Sequence, residues 1–167
     1  MAETNIIAEP GKQEIIITRE FDAPRDLVFR ACTEPELVAQ WWGSKGSTTT
    51  VEHMDAKPGG TWRVILRDAG GNTFAMHGVF HDVTPPERVV DTSEYEGLPG
   101  HVVLETETFE DLGGGRTRMT DHLVFQSVED RDGMLQSGSL EEIAEPMERL
   151  AALLATLIAE RPAAPAR

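Results

Sequence analysis

A chain of 167 residues is long enough for one ordinary domain and too short for two comfortable ones. Its composition, 40% hydrophobic and 26% charged, is that of a globular protein rather than a disordered one. The 29 acidic side chains outnumber the 15 basic ones, for a formal net charge of −14; this field repels phosphate, and no basic stripe offsets it, which argues against nucleic acid or an anionic membrane surface as a partner.

Cys32 is the sole cysteine, so no intramolecular disulfide can form, which fits a reducing cytosol. The opening Met1 to Lys12 has neither a basic n-region nor an apolar run, and no stretch approaches the ~20 apolar residues of a membrane span. The expectation is a cytoplasmic chain with a flexible lead at 1–12, one domain at 13–160 and a proline-stopped, disordered tail at 161–167.

The first predicted strand is Glu14–Phe21, centred on Ile15, Ile16 and Ile17. Asp22-Ala23-Pro24 predicts a helix start with Asp22 or Ala23 near the cap and Pro24 in the first turn, followed by the apolar stripe Leu27, Val28, Ala31. A second short helix follows Thr33, with Pro35 and two acids in its first turn and Leu37, Val38 and Trp41 at helical spacing. The period then changes to two, and strands are expected at 48–54, 60–67, 73–83, 87–95, 101–110 and 116–125. Pro- and Gly-rich turns separate them, and such short connections require antiparallel neighbours.

Helical period returns after Phe125. Ser127-Val128-Glu129-Asp130 caps a short helix reaching about Gln136, and Ser139-Leu140-Glu141-Glu142 is a capping box. The helix it opens carries Leu140, Ile143, Met147, Leu150, Leu154, Leu157 and Ile158 on one face, which must lie on the sheet. Pro146 interrupts it, cannot donate to the Glu142 carbonyl, and predicts a kink. The fold class is therefore α+β: a curved antiparallel sheet wrapped on a long C-terminal helix, enclosing an apolar pocket.

Trp41-Trp42-Gly43-Ser44-Lys45-Gly46 gives the pattern a more specific likeness. A Trp-Trp-Gly closing the second helix resembles the hallmark of the family named after the activator of the heat shock protein 90 ATPase, within the START-like, birch-pollen-allergen-like (SRPBCC) superfamily. Met54 to Trp62 (MDAKPGGTW), Val83 to Val90 (VTPPERVV) and Phe125 to Leu135 (FQSVEDRDGML) resemble three further stretches of that family in the same order. The likeness spans roughly residues 13–158 and implies the helix-grip fold. Ser44 stands where the family usually has Pro, and Pro146 interrupts a helix that is usually unbroken, both near the expected pocket. The resemblance implies a binder of a small apolar molecule, a lipid or polycycle, held in a pocket between the sheet and the C-terminal helix. Its alternatives are a chaperone-linked interaction module and an enzyme of cyclase or hydrolase type using Asp121 with a histidine; among partners, a second copy of the chain stands beside the small molecule and the chaperone.

No catalytic signature is legible: the chain has no nucleophile elbow, phosphate loop, His-Glu-x-x-His or cysteine pair, and neither a metal nor a cofactor is expected. Of the five histidines (His53, His77, His81, His101, His122), His77 and His81 share a strand face but lie roughly 13 Å apart, too far to share an ion. Phe74, Met76 and Phe80 occupy the opposite, core-facing parity. On 116–125 the odd residues Met119, Asp121, Leu123 and Phe125 should point inward, leaving Asp121 as a carboxylate on an apolar face. Such a group is either desolvated with a raised pKa or salt-bridged near an edge. On 101–110, alternation with Val102, Leu104 and Thr106 turns Glu105 and Glu107 toward water; the inverted register would instead place them in the pocket with His101. Cys32 reads as a small buried hydrophobe on its helical stripe. The tryptophans read either as core or as ligand-stacking walls. The candidate lining is Trp41, Trp42, Trp62, Phe74, Met76, Phe80, Leu104, Met119, Asp121, Leu123, Met134, Met147 and Leu150, with methionines suiting an adaptable pocket.

Overall fold

A computed structural model describes residues 2–161 of the chain. The elements run β1 (Asn5–Ile7), β2 (Glu14–Phe21), α1 (Arg25–Thr33), α2 (Pro35–Trp41), β3 (Thr48–Met54), β4 (Thr61–Arg67), β5 (Thr73–Thr84), β6 (Arg88–Tyr95), β7 (Val102–Gly113), β8 (Arg116–Val124), α3 (Val128–Ser137) and α4 (Leu140–Ala159). All eight strands form one antiparallel sheet in the order β1-β2-β8-β7-β6-β5-β4-β3. The meander β3 to β8 follows the chain, and β2 returns to pair with β8. This is the helix-grip fold.

Two local expectations change. Within the lead at 1–12, Asn5–Ile7 pairs with Ile16–Thr18 and covers the outer edge of β2. At α1 the N-cap is Pro24 itself, in extended backbone, with Asp22 and Ala23 outside the helix; Pro24 has no N–H to offer and sits where none is needed. Most of the tail placed at 161–167 lies outside the described residues.

The sheet curls because its strands are interrupted. Register shifts fall between Val51 and His53, between Phe80 and Asp82, and between Asp111 and Gly113. Each extra residue bends its strand and increases the local twist. The shift on β5 also lets Phe80 and Val83 both face the core, although they are three apart. The concave side packs Ile15, Ile17 and Phe21 of β2, Trp62 and Val64 of β4, Phe109 of β7, and Met119 and Leu123 of β8 against Leu27, Val28 and Ala31 of α1 and Met147, Leu150, Leu153 and Leu154 of α4.

Ser139 Oγ accepts from Glu142 N–H (3.1 Å) while the Glu142 carboxylate accepts from Ser139 N–H (2.9 Å), so α4 starts from a complete capping box. The helix continues through Pro146 to Ala159. Arg149, three residues beyond the proline, donates to the carbonyls of Ser44 (3.2 Å), Trp42 (3.4 Å) and Gln40 (3.4 Å), fixing α4 to the turn that follows α2. Removing the capping hydroxyl with Ser139→Ala should lower stability by about 1 kcal/mol, read as a lower urea midpoint at unchanged slope.

Candidate functional site

The chain reaches the site through Trp41-Trp42-Gly43. Trp41 is buried, and its indole donates to the Ala31 carbonyl at 2.8 Å, locking the end of α2 onto α1. Trp42, partly exposed, meets Trp62 edge-to-face at 6.0 Å. Gly43 then turns the chain toward β3 with φ +107°, and a Cβ there would press on Leu66 and Ser47 at 2.8 Å. Only glycine meets both demands, a left-handed backbone and a near contact.

Trp62 is placed by a second glycine. It pairs with Gly78 on the neighbouring β5, and its indole lies across that strand to donate to Asp91 Oδ2 on β6 at 3.1 Å. A Cβ on Gly78 would collide with the Thr92 carbonyl and stand 2.6 Å from Trp62 Nε1. The missing side chain is what allows an indole on β4 to reach a carboxyl two strands away.

The cavity behind these residues has a volume of about 60 Å³. Cys32, Val38, Trp41 and Trp42 wall it from α1 and α2; Met54, Trp62, Val64, Phe80 and Val89 come from the sheet, together with Asp91, Glu105 and Glu107. Asp91 faces Glu105 across the β6–β7 ladder, and Glu107 faces Asp121 across β7–β8. Cross-strand Cβ atoms lie ~5 Å apart, so four carboxyl groups occupy one patch of the concave face.

Among the described residues no cationic side chain forms an ion pair with that patch. Arg19, on the same face of β2, is engaged by Glu148 of α4 and Thr4. Burial pushes Asp91 up to about 7, assisted by repulsion from Asp121 and opposed by the Trp62 hydrogen bond. Burial likewise raises Asp121 to about 7, with nearby His122 acting the other way. Glu105 and Glu107 are raised well above the ordinary range, by burial first and then by the neighbouring acids. The Cys32 thiol is pushed up by burial, then by Glu107 and Asp121. Asp121 Oδ1 is buried and has no hydrogen-bond partner among the described residues.

The expected lining residues are dispersed. Trp41, Trp42, Trp62 and Phe80 stand in the cavity wall. Met119, Leu123, Met147 and Leu150 are core residues, Met76 packs at the core's edge, and Asp121 lies beside the cavity among the acids. Phe74, Leu104 and Met134 are exposed at 40%, 43% and 36%. Phe74 lies at the start of β5, where its ring meets Tyr95 in a tilted pair at 6.3 Å. Met134 is on the open side of α3. Leu104 has the outward parity of β7, so Glu105 and Glu107 turn inward, the inverted register. His101 does not join them, since it bonds Asp130 at 2.9 Å on the surface. Of the other histidines, His77 bonds Glu96 at 3.1 Å, His122 bonds Glu14 at 2.6 Å and His53 bonds Thr61 at 3.1 Å.

Cys32, Val38, Met54, Val64, Val89 and Asp91 also line the cavity, beyond the residues that the sequence pattern points to. For Asp91 a signal existed, because it shares parity with Val89 and Ser93 on 87–95, but the adjacent pair Val89-Val90 leaves that parity undecided. Cys32 was read as packing alone.

Two outcomes follow. Gly78→Ala should destabilise by ~1–3 kcal/mol as an overpacked site and shift the Trp62 emission as the indole leaves Asp91. The raised carboxyls also set a pH trend. A carboxyl at about 7 in the fold and ~3.9 unfolded contributes fully below the unfolded value, and its contribution is lost as pH climbs toward the folded one. The urea midpoint should therefore fall from pH 5 to 8. Asp121→Asn should flatten that fall, with a midpoint at or above that of the parent at pH 7 to 8; a lower midpoint throughout would place Asp121 in a favourable ion pair instead.

Comparison with known proteins agrees with this architecture. A protein from Arthrobacter aurescens has a TM-score of 0.84 at 24% identity, over 95% of this chain and 92% of its own. A Rhodobacter sphaeroides protein has 0.81 at 25%, over 93% and 99%. Protein Ms6760 from Mycobacterium smegmatis has 0.81 at 22%, over 92% and 97%. These likenesses concern the fold. No protein of curated function matches the sequence. No helix among the described residues is long and apolar enough to cross a membrane. The family described as activator of Hsp90 ATPase homolog 1-like protein matches residues 22–155, and by that match the chain belongs to it.

Proposed function

We propose that this chain binds a small organic molecule in the cavity between the α1–α2 pair and the concave face of β3 to β7. The observation that carries the reading is the combination of an aromatic wall, Trp41, Trp42 and Trp62, with carboxyl groups whose hydrogen-bonding capacity is largely unused. Pockets that bind small molecules have this make-up, apolar walls with a few polar groups that fix orientation. The cavity favours a smaller guest than the lipid or polycycle the family resemblance suggests. An apolar cavity of ~150 Å³ holds benzene, so about 60 Å³ takes a group of a few heavy atoms while the body of the ligand rests at the mouth. Trp42 and Met54, both partly exposed, are the wall residues placed to meet that body. The single thiol is compatible with the reducing cytoplasm as the place of action.

A second reading is a docking module for a chaperone ATPase. It draws on the family's name and on the exposed aromatic pair Phe74 and Tyr95. Purified chaperone assayed for ATP turnover with and without this protein separates it from the first.

The cavity reading is tested by thermal unfolding against a broad library of small aromatic and aliphatic compounds. A ligand at a hundred times its Kd adds about 2.7 kcal/mol to the folded state, and Trp42→Ala should abolish the resulting shift. The absence of any shift across the library would sink the reading.

A further inference from the structure

We propose that the group entering the cavity is an organic ammonium, so that the ligand is a primary amine with a compact apolar body. This rests on the cavity being a ligand site and adds the chemistry of the ligand. Three observations carry it.

The first is unspent acceptor capacity inside a walled space. Asp91, 7% exposed, lines the cavity; its Oδ2 takes the Trp62 N–H, and among the described residues Oδ1 takes no hydrogen bond. Asp121 Oδ1 is buried and unpaired. Glu105 and Glu107 line the same space without a side-chain partner among the described residues. An ammonium brings three donors and no acceptor, the complement of such a set.

The second is charge. Four acids face one concavity, and Arg19, a cation of β2 on that face, is already bound to Glu148. A guest cation supplies the countercharge that lets an acid of this patch give up its proton to solvent and ionise, which is costly in a low-dielectric space while the group is unpaired. The net charge of −14 draws cations toward the protein from a distance.

The third distinguishes an organic cation from a metal ion. Among the described residues no three acid, histidine or cysteine groups converge closely enough to hold a metal. The carboxyls are spread over β6, β7 and β8 with Trp62 beside them on the sheet, while Trp42, which meets Trp62 edge-to-face, walls the cavity from the end of α2. A head group that hydrogen-bonds on one side and lies against indole on the other fits that division, because indole attracts cations and apolar groups alike.

The experiment uses three probes of nearly one shape: benzylamine, benzyl alcohol and benzoate. Each is titrated into ¹⁵N-labelled protein at pH 7.5, with the Trp62 indole N–H followed by NMR. Benzylamine should bind about tenfold more tightly than benzyl alcohol, the difference between charged and neutral hydrogen bonding, and benzoate should bind worst. Asp91→Asn and Glu107→Gln, both close in shape and neutral, should each remove that advantage, read as the ratio of the two affinities in the same variant. Circular dichroism confirms that the variants are folded. Benzyl alcohol binding as tightly as the amine would overturn the ammonium while leaving a ligand cavity standing. Failure of the amine to move the Trp62 signal at any concentration would also overturn it. The cavity reading falls separately, only when the wider library fails as well. An advantage for the amine that survives both substitutions would place its cation elsewhere on the acidic surface and overturn the assignment.

Discussion

Burying carboxyl groups without a countercharge is the constraint around which this site is arranged. The concave side of a curved sheet is where a domain of this kind gathers its apolar surface, and most of it here is aliphatic or aromatic. At the centre, however, Asp91, Glu105, Glu107 and Asp121 replace what could have been four hydrophobes. Isolated ionised carboxylates in such surroundings are expensive, so the groups hold their protons to unusually high pH. A stable core does not need this arrangement. Positions that break the rules of packing at a cost to the fold are those at which a function is to be sought.

The scaffold keeps that polar patch accessible. Bulges in β3, β5 and β7 bend the sheet, and the α1–α2 pair roofs one part of it rather than sealing the whole. α4 contributes Met147, Leu150, Leu153 and Leu154 to the core, while the cavity wall on the helical side belongs to α1 and α2. The division follows from lengths: a helix of twenty residues spans the core, whereas two helices of nine and seven residues cap a corner and leave a void. The pocket therefore sits at the Trp-Trp-Gly turn, away from the long helix.

How much of this was legible in the sequence depended on whether the inward face obeyed hydrophobic alternation. On β8 it did: Met119, Leu123 and Phe125 mark the buried parity plainly, and Asp121 stands out against them. On β7 the same rule misleads. The apolar Leu104 is 43% exposed, and the acids beside it point inward, because the polar patch inverts the pattern from which the face is inferred. The fold itself was legible through turn chemistry, the Ser139 capping box and the spacing of Trp41-Trp42-Gly43. The pairing of Trp62 with Asp91 was not, since it depends on Gly78, on the strand between them, lacking a side chain. No period in the sequence encodes a contact across an intervening strand.

The two departures from the family pattern meet in one place. Ser44, in place of a proline, gives its carbonyl to Arg149 and also accepts from the Ser47 hydroxyl at 2.6 Å. Arg149 lies one turn beyond Pro146, on the helix that runs through the proline, and reaches the same turn through the Trp42 and Gln40 carbonyls. The Trp42 carbonyl also accepts from the Thr49 hydroxyl of β3. The residues that follow α2 are thus held from α4 and from the sheet together. A proline at 44 would stiffen this turn by itself; here hydrogen bonds from two other elements hold it instead. Such a turn is set by its partners, so the position of Trp42, and the width of the cavity mouth beside it, are tied to how α4 sits on the core.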